Sequence, residues 1–187
     1  MLFQYTKIDG LWIVDPERFH DARGSFGRTF CSEEFGALGL STHFVQHSLS
    51  VSLLRHTLRG LHFQVPPHQE AKLVSCVRGV IWDVAVDLRP GSPTYLEWVG
   101  TTLSADNGRQ FYIPEGFAHG FQSLVDDVAV SYVISAPYVP NSSSGIRYDD
   151  AAIGIDWPAR PSVMSDKDMA WPAWRGLVDL AVEEAEV

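Results

Sequence analysis

The sequence predicts an all-β protein, and three observations lead to this fold class. Short runs rich in β-branched and aromatic residues alternate with turn residues along most of the chain. In the run VIWDVAVD, positions 80–87, every second residue is a large apolar one, which is the period of a β-strand. Helical patterns are scarce. Several short strands at regular spacing are typical of a sandwich or barrel, and a cupin-type jelly-roll barrel with a few short peripheral helices is one standard solution.

The expected elements follow in chain order. A short helix is predicted with Ser32 as its cap, glutamates in its first turn and Gly39 at its end. The strand-like runs after it are 49–54, 72–77, 80–88, 95–103, 110–114, 116–124 and 128–135. Segment 137–145 has the composition of a surface loop and equally suits an ordered lid. The tail 176–187 is a second candidate helix.

Length and composition narrow the functional classes. At 187 residues, with 45% hydrophobic and 20% charged residues, the chain is expected to form one domain, 1–187. A net charge of −9 argues against a nucleic-acid partner, but a few arginines in a cleft can still bind an anionic small ligand. We find no signal peptide and no apolar run near the ~18 residues of a membrane helix, so no membrane partner is expected. Cys31 and Cys76 are expected to be reduced, which favours a cytoplasmic protein.

The densest cluster of reactive side chains lies at 59–74 (RGLHFQVPPHQEAKLV). If the first part of this segment is extended, Leu61 and Phe63 share one face of the strand and His62 lies on the other. A histidine opposite two large apolar residues points to a polar cavity or to solvent. On spacing alone, a hydrogen-bonded structural histidine is the slightly favoured interpretation. Lys72, taken by itself, is equally well a surface lysine.

A second cluster, IPEGFAHGF at 113–121, delivers His119 to the start of a strand after a tight turn. In many cupins this motif supplies a metal ligand, together with an earlier His-x-His pair. That pair is missing here, because His62 is followed by Phe-Gln. On the residues alone, His62, His119 and Glu70 leave a metal site open, as in a metal-dependent oxygenase or isomerase.

Three further candidates each have an ordinary structural explanation. Tyr132, in the run VAVSYVIS, is equally a core tyrosine whose hydroxyl reaches the rim. Asp168, in SDKDMAW, is equally part of a polar turn. Arg23, in DARG, suits bidentate binding of a phosphate, and a surface ion pair explains it as well.

Taken together, these motifs resemble those of the dTDP-4-dehydrorhamnose 3,5-epimerase family, from about residue 15 to 171. The strings that carry the resemblance are DARGSF (21–26), FVQHS (44–48), LRGLHFQ (58–64), KLV (72–74), DVAVDLRPGSPTY (83–95), IPEGFAHGF (113–121), SYVIS (131–135), PYVP (137–140) and SDKD (165–168). The resemblance implies a jelly-roll barrel in a homodimer and an isomerase of deoxysugar biosynthesis. It further implies a nucleotide-diphosphate sugar as substrate, with no metal and no cofactor.

The resemblance also implies catalytic roles. His62 is expected to be the base that removes the proton beside the 4-keto group, and Asp168 to hold its imidazole and fix the tautomer. Tyr132 is expected to return a proton from the opposite face, and Lys72 to stabilise the enolate oxygen. An acid and a base on opposite faces of a flat enolate are what inversion of a carbon requires.

Substrate-binding positions follow from the same resemblance. The residues expected around the diphosphate or the sugar are Arg23, Arg59 and His119. Those expected to contact or stack on the pyrimidine are Phe26, Gln46 and Tyr138. In the dimer that the family forms, Phe26 or Arg28 of one subunit is expected to complete the pocket of its partner.

Three positions depart from the family pattern, namely Arg28 and Ser143, where glutamate is common, and Ser48, where asparagine is common. All three are expected to contact the nucleotide or the sugar. The proton-transfer residues are therefore intact, while the nucleotide, the sugar and the inverted carbons (carbon 3 alone, or 3 and 5) stay open. Two alternatives remain: the metal-dependent cupin enzyme, and a cupin that binds sugar nucleotides without turnover.

Overall fold

The computed structural model describes residues 1–177, and almost all of its regular structure is β. The strands are β1 (Leu2–Tyr5), β2 (Trp12–Asp15), β3 (Arg18–Asp21), β4 (Gly24–Gly27), β5 (Gln46–Ser52), β6 (Leu58–Gln64), β7 (Lys72–Arg78), β8 (Val80–Asp87), β9 (Trp98–Ser104), β10 (Gln110–Ile113), β11 (Phe117–Ser123), β12 (Val128–Ile134) and β13 (Ser143–Gly145). The helices are α1 (Ser32–Ala37), α2 (Asp166–Ala170) and a single 3₁₀ turn (Pro140–Ser142). The all-β prediction is confirmed, and each strand-like run of the sequence contains a strand.

Two antiparallel sheets face each other and enclose the main core. The first sheet has six strands in the order β1-β2-β10-β7-β12-β5, and the second has five in the order β13-β6-β11-β8-β9. Apolar side chains of both sheets meet between them, among them Val74, Phe111 and Val130 of the first and Ile81 and Phe121 of the second. Within residues 1–177 the two sheets share no strand, so the jelly roll is an open sandwich and not a closed barrel.

Strand β8 shows how an alternating pattern can belong to a strand that is buried on both faces. Ile81 and Ala85 face the core between the sheets. Val84 and Val86 belong to a second apolar cluster, on the outer face of the same sheet. Asp83 shares the inward face, and its side chain is fully buried. A carboxylate buried beside the apolar Ile81 and Ala85 needs a hydrogen-bonding or charged partner. Asp83 is therefore a polar residue at a position where the strand pattern favours an apolar one.

The turn after β8 gives the motif DLRPGSPT a structural role. The buried carboxylate of Asp87 accepts hydrogen bonds from the Arg89 guanidinium at 2.9 and 2.8 Å and from the hydroxyls of Ser92 at 2.6 Å and Thr94 at 2.8 Å. Burial alone would raise the pKa of Asp87, but these hydrogen bonds outweigh it and lower the pKa to about 2. The Arg89 guanidinium also lies 4.7 Å from the centroid of the Phe117 ring, which ties the turn to the start of β11.

The predicted cap of α1 needs correction. The N-cap residue is Cys31 and not Ser32, and its side chain makes no capping hydrogen bond. The helix therefore begins at Ser32, one position earlier than the sequence pattern indicates. Its end is as predicted, because Gly39 follows it with a φ of +70°, a conformation that favours glycine.

Helix α2 forms where the sequence left a polar turn as the alternative. The hydroxyl of Ser165 caps it by accepting a hydrogen bond from the backbone N–H of Asp168 at 3.1 Å.

No helix within residues 1–177 is long and apolar enough to cross a membrane. The predicted tail helix, 176–187, lies outside the described residues apart from its first two positions.

Candidate active site

A cleft of about 320 Å³ opens between the two sheets. The first sheet contributes Gln46, Ser48, Ser50, Lys72, Tyr132 and Ile134, the second contributes Arg59, His62, His119 and Phe121, and loops add Glu70 and Tyr138. Seven of the ten site residues expected from the sequence therefore line one cleft. Of the other three, Asp168 reaches the site by bonding to His62, whereas Arg23 and Phe26 lie elsewhere.

A close approach of β6 and β11 places two histidines on the same wall. In the register of these strands, His62 and His119 are direct partners. Gly60 has a φ of +136°, and a Cβ at that position would lie 2.6 Å from the Cα of Gly120. Only glycine allows the backbones to come this close. The glycines of the RGLHF and FAHGF motifs thus bring the histidines together.

His62 forms a hydrogen-bonded pair with Asp168. Its Nε2 lies 2.6 Å from Oδ1 of Asp168, whose side chain is 6% exposed, whereas that of His62 is 42% exposed. The other carboxylate oxygen accepts a long hydrogen bond of 3.4 Å from the backbone N–H of Gly60. The carboxylate is therefore buried behind a ring that is itself open to the cleft.

The protonation of this pair follows from its surroundings. Burial alone would raise the pKa of Asp168, but the hydrogen bond and charge interaction with His62 and the Gly60 backbone N–H outweigh it, so the pKa lies below its ordinary value. Asp168 is a carboxylate at neutral pH, and Nε2 of His62 must carry the proton that it donates. In a neutral imidazole that donates from Nε2, the other ring nitrogen, Nδ1, carries the lone pair and can accept a proton.

His119 forms a second pair, with Asp83, that the sequence analysis did not predict. Its Nε2 lies 3.0 Å from each carboxylate oxygen of Asp83. Asp83 is fully buried and His119 is 4% exposed. Burial raises the pKa of Asp83 against the opposing effects of His119 and Lys72. The sequence did carry a signal for this pair, since Asp83 stands among inward-facing apolar positions of β8.

Tyr132 faces the histidines from the opposite sheet. Its ring packs edge-on against that of His119, with centroids 5.9 Å apart. Burial, and secondly the negative charge of Asp83, raise the pKa of the Tyr132 phenol above its ordinary value. The hydroxyl therefore holds its proton at neutral pH and can donate it. Because β6 and β12 belong to different sheets, His62 and Tyr132 line the cleft from two sides.

Lys72 is a buried cation paired with a carboxylate. Its Nζ lies 2.9 Å from Oε1 of Glu70, and the two side chains are 9% and 11% exposed. An unpaired ammonium with so little exposure would be strongly disfavoured, so the pair explains how a charged lysine is kept on the cleft wall. An ammonium has three N–H donors, and Glu70 uses one of them.

The alternative metal site is not assembled in the part of the chain that the structure describes. Among residues 1–177 there is no group of three His, Cys, Asp or Glu side chains able to hold a metal ion. The three ligands named from the sequence each bond a protein partner instead: His62 bonds Asp168, His119 bonds Asp83 and Glu70 bonds Lys72. The side chains that would bind a metal are thus paired with other side chains of the protein.

The cleft also presents groups suited to binding a sugar nucleotide. Arg59 is held in place by hydrogen bonds from its guanidinium to the Ser52 hydroxyl at 3.2 Å and the Val51 carbonyl at 2.9 Å. Gln46 adds an amide and Tyr138 an exposed ring. The wall therefore combines a cation, an amide and an aromatic surface.

Two expected binding residues lie outside the cleft of their own chain. Arg23 and Phe26 are 90% and 78% exposed, and both line a separate depression. The guanidinium of Arg23 pairs with the carboxylate of Asp21 in the same hairpin. Within one chain Arg23 and Phe26 are therefore not brought together with the other site residues, because β3 and β4 form a two-stranded sheet of their own.

The three departures from the family pattern lie in different surroundings. Ser48 lines the main cleft. Ser143 lines an adjoining cleft of about 340 Å³ that runs past Asp168 and Lys167. Arg28 lies outside both clefts and bonds Glu34 at 3.2 Å. Two of the three therefore border space that a ligand can reach.

Comparison with known proteins decides the family. The family model described as dTDP-4-dehydrorhamnose 3,5-epimerase matches residues 5–176. The chain belongs to the dTDP-4-dehydrorhamnose 3,5-epimerase family. A relative of that name from Methanothermobacter thermautotrophicus is 48% identical over 176 residues, which cover 92% of this chain and 94% of the relative. A dTDP-4-dehydrorhamnose 3-epimerase from Streptomyces niveus is 40% identical over 162 residues, with 86% and 78% covered.

A solved relative agrees with this chain in fold. The structure of dTDP-6-deoxy-D-glucose-3,5-epimerase from Legionella pneumophila Philadelphia 1, in complex with dTDP-4-keto-L-rhamnose, superposes with a TM-score of 0.88 at 40% identity. The match covers 99% of this chain and 95% of that one. The resemblance in the motifs and the jelly-roll fold that it implied are both confirmed.

Proposed function

We propose that this protein epimerises a dTDP-4-keto-6-deoxy-hexose next to its ketone, as a step of deoxysugar biosynthesis. The observation that carries the proposal is the placement of His62 and Tyr132 on facing sheets across one cleft. Inversion requires a proton to leave a carbon from one side and return from the other, so a base and an acid on opposite walls match the reaction. Family membership supports the same reaction.

The proton transfers are assigned to these two residues. Nδ1 of His62 removes the proton from the carbon beside the ketone, and the electron pair moves onto the carbonyl oxygen to form an enolate. Asp168, already ionised, stabilises the imidazolium that results. Tyr132 then donates its phenolic proton to the opposite face of the same carbon, and the electron pair of the enolate forms the new C–H bond.

Lys72 is assigned to the enolate oxygen. Negative charge appears on that oxygen only as the proton leaves, so a fixed ammonium nearby lowers the energy of the transition state more than that of the bound substrate. The pairing with Glu70 fixes the position of the ammonium. A binding protein without turnover has no need for a matched acid, base and cation, and this disfavours the non-catalytic alternative.

The nucleotide half of the substrate is assigned to Arg59, Gln46 and Tyr138. A guanidinium binds phosphate oxygens, and an exposed aromatic ring stacks on a base. The Legionella relative with dTDP-4-keto-L-rhamnose supports a dTDP sugar here as well. Relatives include both a 3,5-epimerase and a 3-epimerase, and inversion at carbon 3 is common to the two names.

The decisive experiment is incubation with dTDP-4-keto-6-deoxyglucose in deuterated water, read by NMR and mass spectrometry. We expect solvent deuterium at carbon 3, or at carbons 3 and 5, together with the inverted sugar. Deuterium at carbon 3 alone assigns the 3-epimerase activity. No deuterium at either carbon, with dTDP sugars still bound, would favour the binding protein and overturn the proposal.

We further propose a homodimer in the cytoplasm, in which Arg23 and Phe26 of each hairpin enter the cleft of the partner. Both side chains are exposed and lie outside the cleft of their own chain. Strand β5, which lines the cleft, is an edge strand of the described sheet, with outward-facing Leu49 64% exposed. An isologous contact would cover that edge. The thiols of Cys31 and Cys76 are free, as a reducing compartment allows.

Mixing two inactive variants tests the shared site. Phe26→Ala subunits retain His62, and His62→Ala subunits retain Phe26, so a mixed dimer has one complete cleft. After unfolding and refolding together, we expect activity to return to about a quarter of the wild-type value, because half of the dimers are mixed and each has one working cleft. No recovery, or a single-chain mass by light scattering, would contradict the dimer.

A further inference from the structure

A buried amide, Gln64, connects three parts of the cleft. It lies at the end of β6, two positions after His62, and is 4% exposed. The two N–H groups of its Nε2 are shared among three acceptors, the carbonyl oxygens of His68 at 2.9 Å and Pro137 at 3.1 Å and Oε2 of Glu70 at 2.7 Å. Its Oε1 accepts a hydrogen bond from the backbone N–H of Val139 at 2.7 Å. Both ends of the amide are therefore used.

One end of this network holds the segment that carries Tyr138. The carbonyl of Pro137 and the N–H of Val139 flank Tyr138 on either side, and both bond the Gln64 amide. The tyrosine ring is 55% exposed, so it has few contacts of its own to hold it. The backbone bonds to Gln64 thus set where this wall of the cleft stands.

The other end holds the cation. Glu70 divides its carboxylate between Gln64 at Oε2 and the Lys72 ammonium at Oε1, the latter at 2.9 Å. A carboxylate anchored at one oxygen presents the other in a fixed direction. The position of the Lys72 ammonium therefore depends, through Glu70, on the Gln64 amide.

We propose that Gln64 is a positioning residue for both halves of the substrate: it orients Lys72 towards the reacting sugar and Tyr138 towards the nucleotide. The assignment rests on the proposed function of the cleft. Glutamine is required because its amide both donates to a carboxylate and accepts from a backbone N–H. A carboxylate of the same shape cannot donate, and an apolar side chain can do neither.

Gln64→Glu tests this through its pH dependence. An ionised glutamate would repel Glu70, whereas a protonated one would donate to it and restore the network, since two adjacent carboxylates share a proton. Charged and titratable residues surround position 64 on several elements. Gln64 bonds Glu70 and the backbone of His68, and Lys72 pairs with Glu70. The others line the same adjoining cleft, namely Arg59, His62, Tyr138, Lys167 and Asp168. The measured quantity is the kcat/KM of the variant divided by that of wild type, because titration of the shared base then cancels.

At about pH 8 we expect this ratio for Gln64→Glu to lie roughly 10- to 100-fold below 1, because catalytic groups displaced by about an ångström lose activity to that extent. It should rise towards 1 as the pH falls. Gln64→Met, which cannot titrate, should show the same loss at every pH, with kcat lowered through Lys72 and KM raised through Tyr138. A flat ratio for Gln64→Glu, or an unchanged kcat and KM for Gln64→Met, overturns the proposal.

The chain offers a matched control in Gln122. Its amide is fully buried and clamps a loop in the same way, donating to the Ala159 carbonyl at 2.9 Å and accepting from the Ala159 N–H at 3.0 Å. It does not line either cleft. We expect Gln122→Met to lower Tm and leave kcat and KM unchanged, and equal kinetic losses in the two Met variants would overturn a positioning role for Gln64.

Failure of the proposed function can be told apart from failure of this inference. If the wild-type protein epimerises no dTDP-4-keto sugar, the proposed function falls. The role of Gln64 is then judged by dTDP binding in a calorimeter, where Gln64→Met should raise Kd through the displaced Tyr138 and Gln122→Met should not. An equal Kd for the wild-type protein and Gln64→Met would overturn the inference.

Discussion

Two histidine–aspartate pairs lie at the same cleft, and each places its histidine on the cleft wall. The pairs have the same residue types but differ in exposure, in hydrogen bonding and in the elements that they join. His62 is 42% exposed and bonds one oxygen of Asp168, which comes from a helix 106 positions further along the chain. His119 is 4% exposed and bonds both oxygens of Asp83, on the neighbouring strand of the same sheet. The first pair joins two elements near the surface, and the second is enclosed between the sheets.

The difference suggests different roles for two pairs of the same residue types. Only the exposed histidine, His62, is readily reached by a ligand in the cleft. The pKa of Asp168 is lowered, and its carboxylate holds Nε2 of His62 at 2.6 Å, so that in the proposed function Nδ1 is left for the substrate. The pKa of Asp83 is raised by burial, and its charge acts mainly on its neighbours, raising the pKa of Tyr132. In the proposed function the outer pair moves a proton, whereas the inner pair acts on the acid, Tyr132, through the charge of Asp83.

The largest expected effect comes from removing the base. Without His62 no enolate forms, so His62→Ala should lower kcat by roughly 10²- to 10⁴-fold and abolish deuterium incorporation at every exchangeable carbon. His62→Asn should behave alike, since an amide fills the space but cannot take a proton at neutral pH. Deuterium incorporation at the wild-type rate in either variant would show that another group, such as His119, is the base.

Removing the acid, Tyr132, should affect deuterium incorporation and formation of the inverted sugar differently, whereas removing the base abolishes both. In Tyr132→Phe, His62 can still form the enolate and return the proton to the original face. We expect deuterium incorporation to persist while formation of the inverted sugar falls by roughly 10²-fold. NMR of the sugar in deuterated water follows both signals at once, and their equal loss would contradict the separate roles.

The two aspartates test the comparison directly. Asp168→Asn leaves the base present but disturbs its tautomer, so kcat should fall by about 10- to 100-fold, less than in His62→Ala. Asp83→Asn should instead lower the free energy of unfolding by about 1–3 kcal/mol in a denaturant titration, the cost of disturbing a buried hydrogen-bonded pair. Deuterium incorporation through His62 should largely survive in Asp83→Asn.

The opposite outcome would reverse the assignment of the pairs. If Asp168→Asn equals wild type in kcat while Asp83→Asn loses its deuterium incorporation, the inner pair carries the base function. Thermal unfolding of both variants serves as the control, because a loss of activity that follows a loss of folded protein says nothing about proton transfer.

The smallest expected effect is in the dependence of stability on pH. The pKa of Asp168 is lowered in the folded state, so this group contributes stability above its unfolded pKa that is lost as the pH falls towards the folded value. The pKa of Asp83 is raised, so its contribution declines as the pH rises from the unfolded towards the folded value. Relative to wild type, acidification below about pH 5 should therefore cost Asp168→Asn less stability and Asp83→Asn more.

The same comparison shows what the sequence could predict. Local alternation placed His62 opposite Leu61 and Phe63, and the structure has those two side chains in the outer apolar cluster with His62 in the cleft. The resemblance placed Asp168 in the site, which no local pattern does. Asp83 entered the sequence analysis only as part of a strand pattern and of the motif DVAVDLRPGSPTY. Its pairing with His119, 36 positions away, depends on the register of two strands.

The remaining differences have equally physical causes. Arg23 and Phe26 lie outside the cleft of their own chain, because within residues 1–177 their hairpin pairs only with itself, which no sequence motif reveals. Cys31 occupies the N-cap position of α1 without a capping hydrogen bond, although Ser32 is the better capping residue. The helix packs through its buried Phe35, so the capping preference of the sequence does not by itself set where it starts. One carboxylate oxygen of Glu70 accepts a hydrogen bond from Gln64 and the other pairs with Lys72. The sequence does not predict these partners, because they depend on which side chains are close in three dimensions.

The shortness of α2 has a consequence for how the protein loses activity. Five residues deliver Asp168, held by the Ser165 cap and by Trp171, whose indole lies over Gly145 where a Cβ would come within 2.3 Å of the ring. Such a segment can open while both sheets stay intact. On heating, inactivation should therefore precede the loss of β-sheet signal, and the protein should recover its activity on cooling as long as the sandwich has not melted.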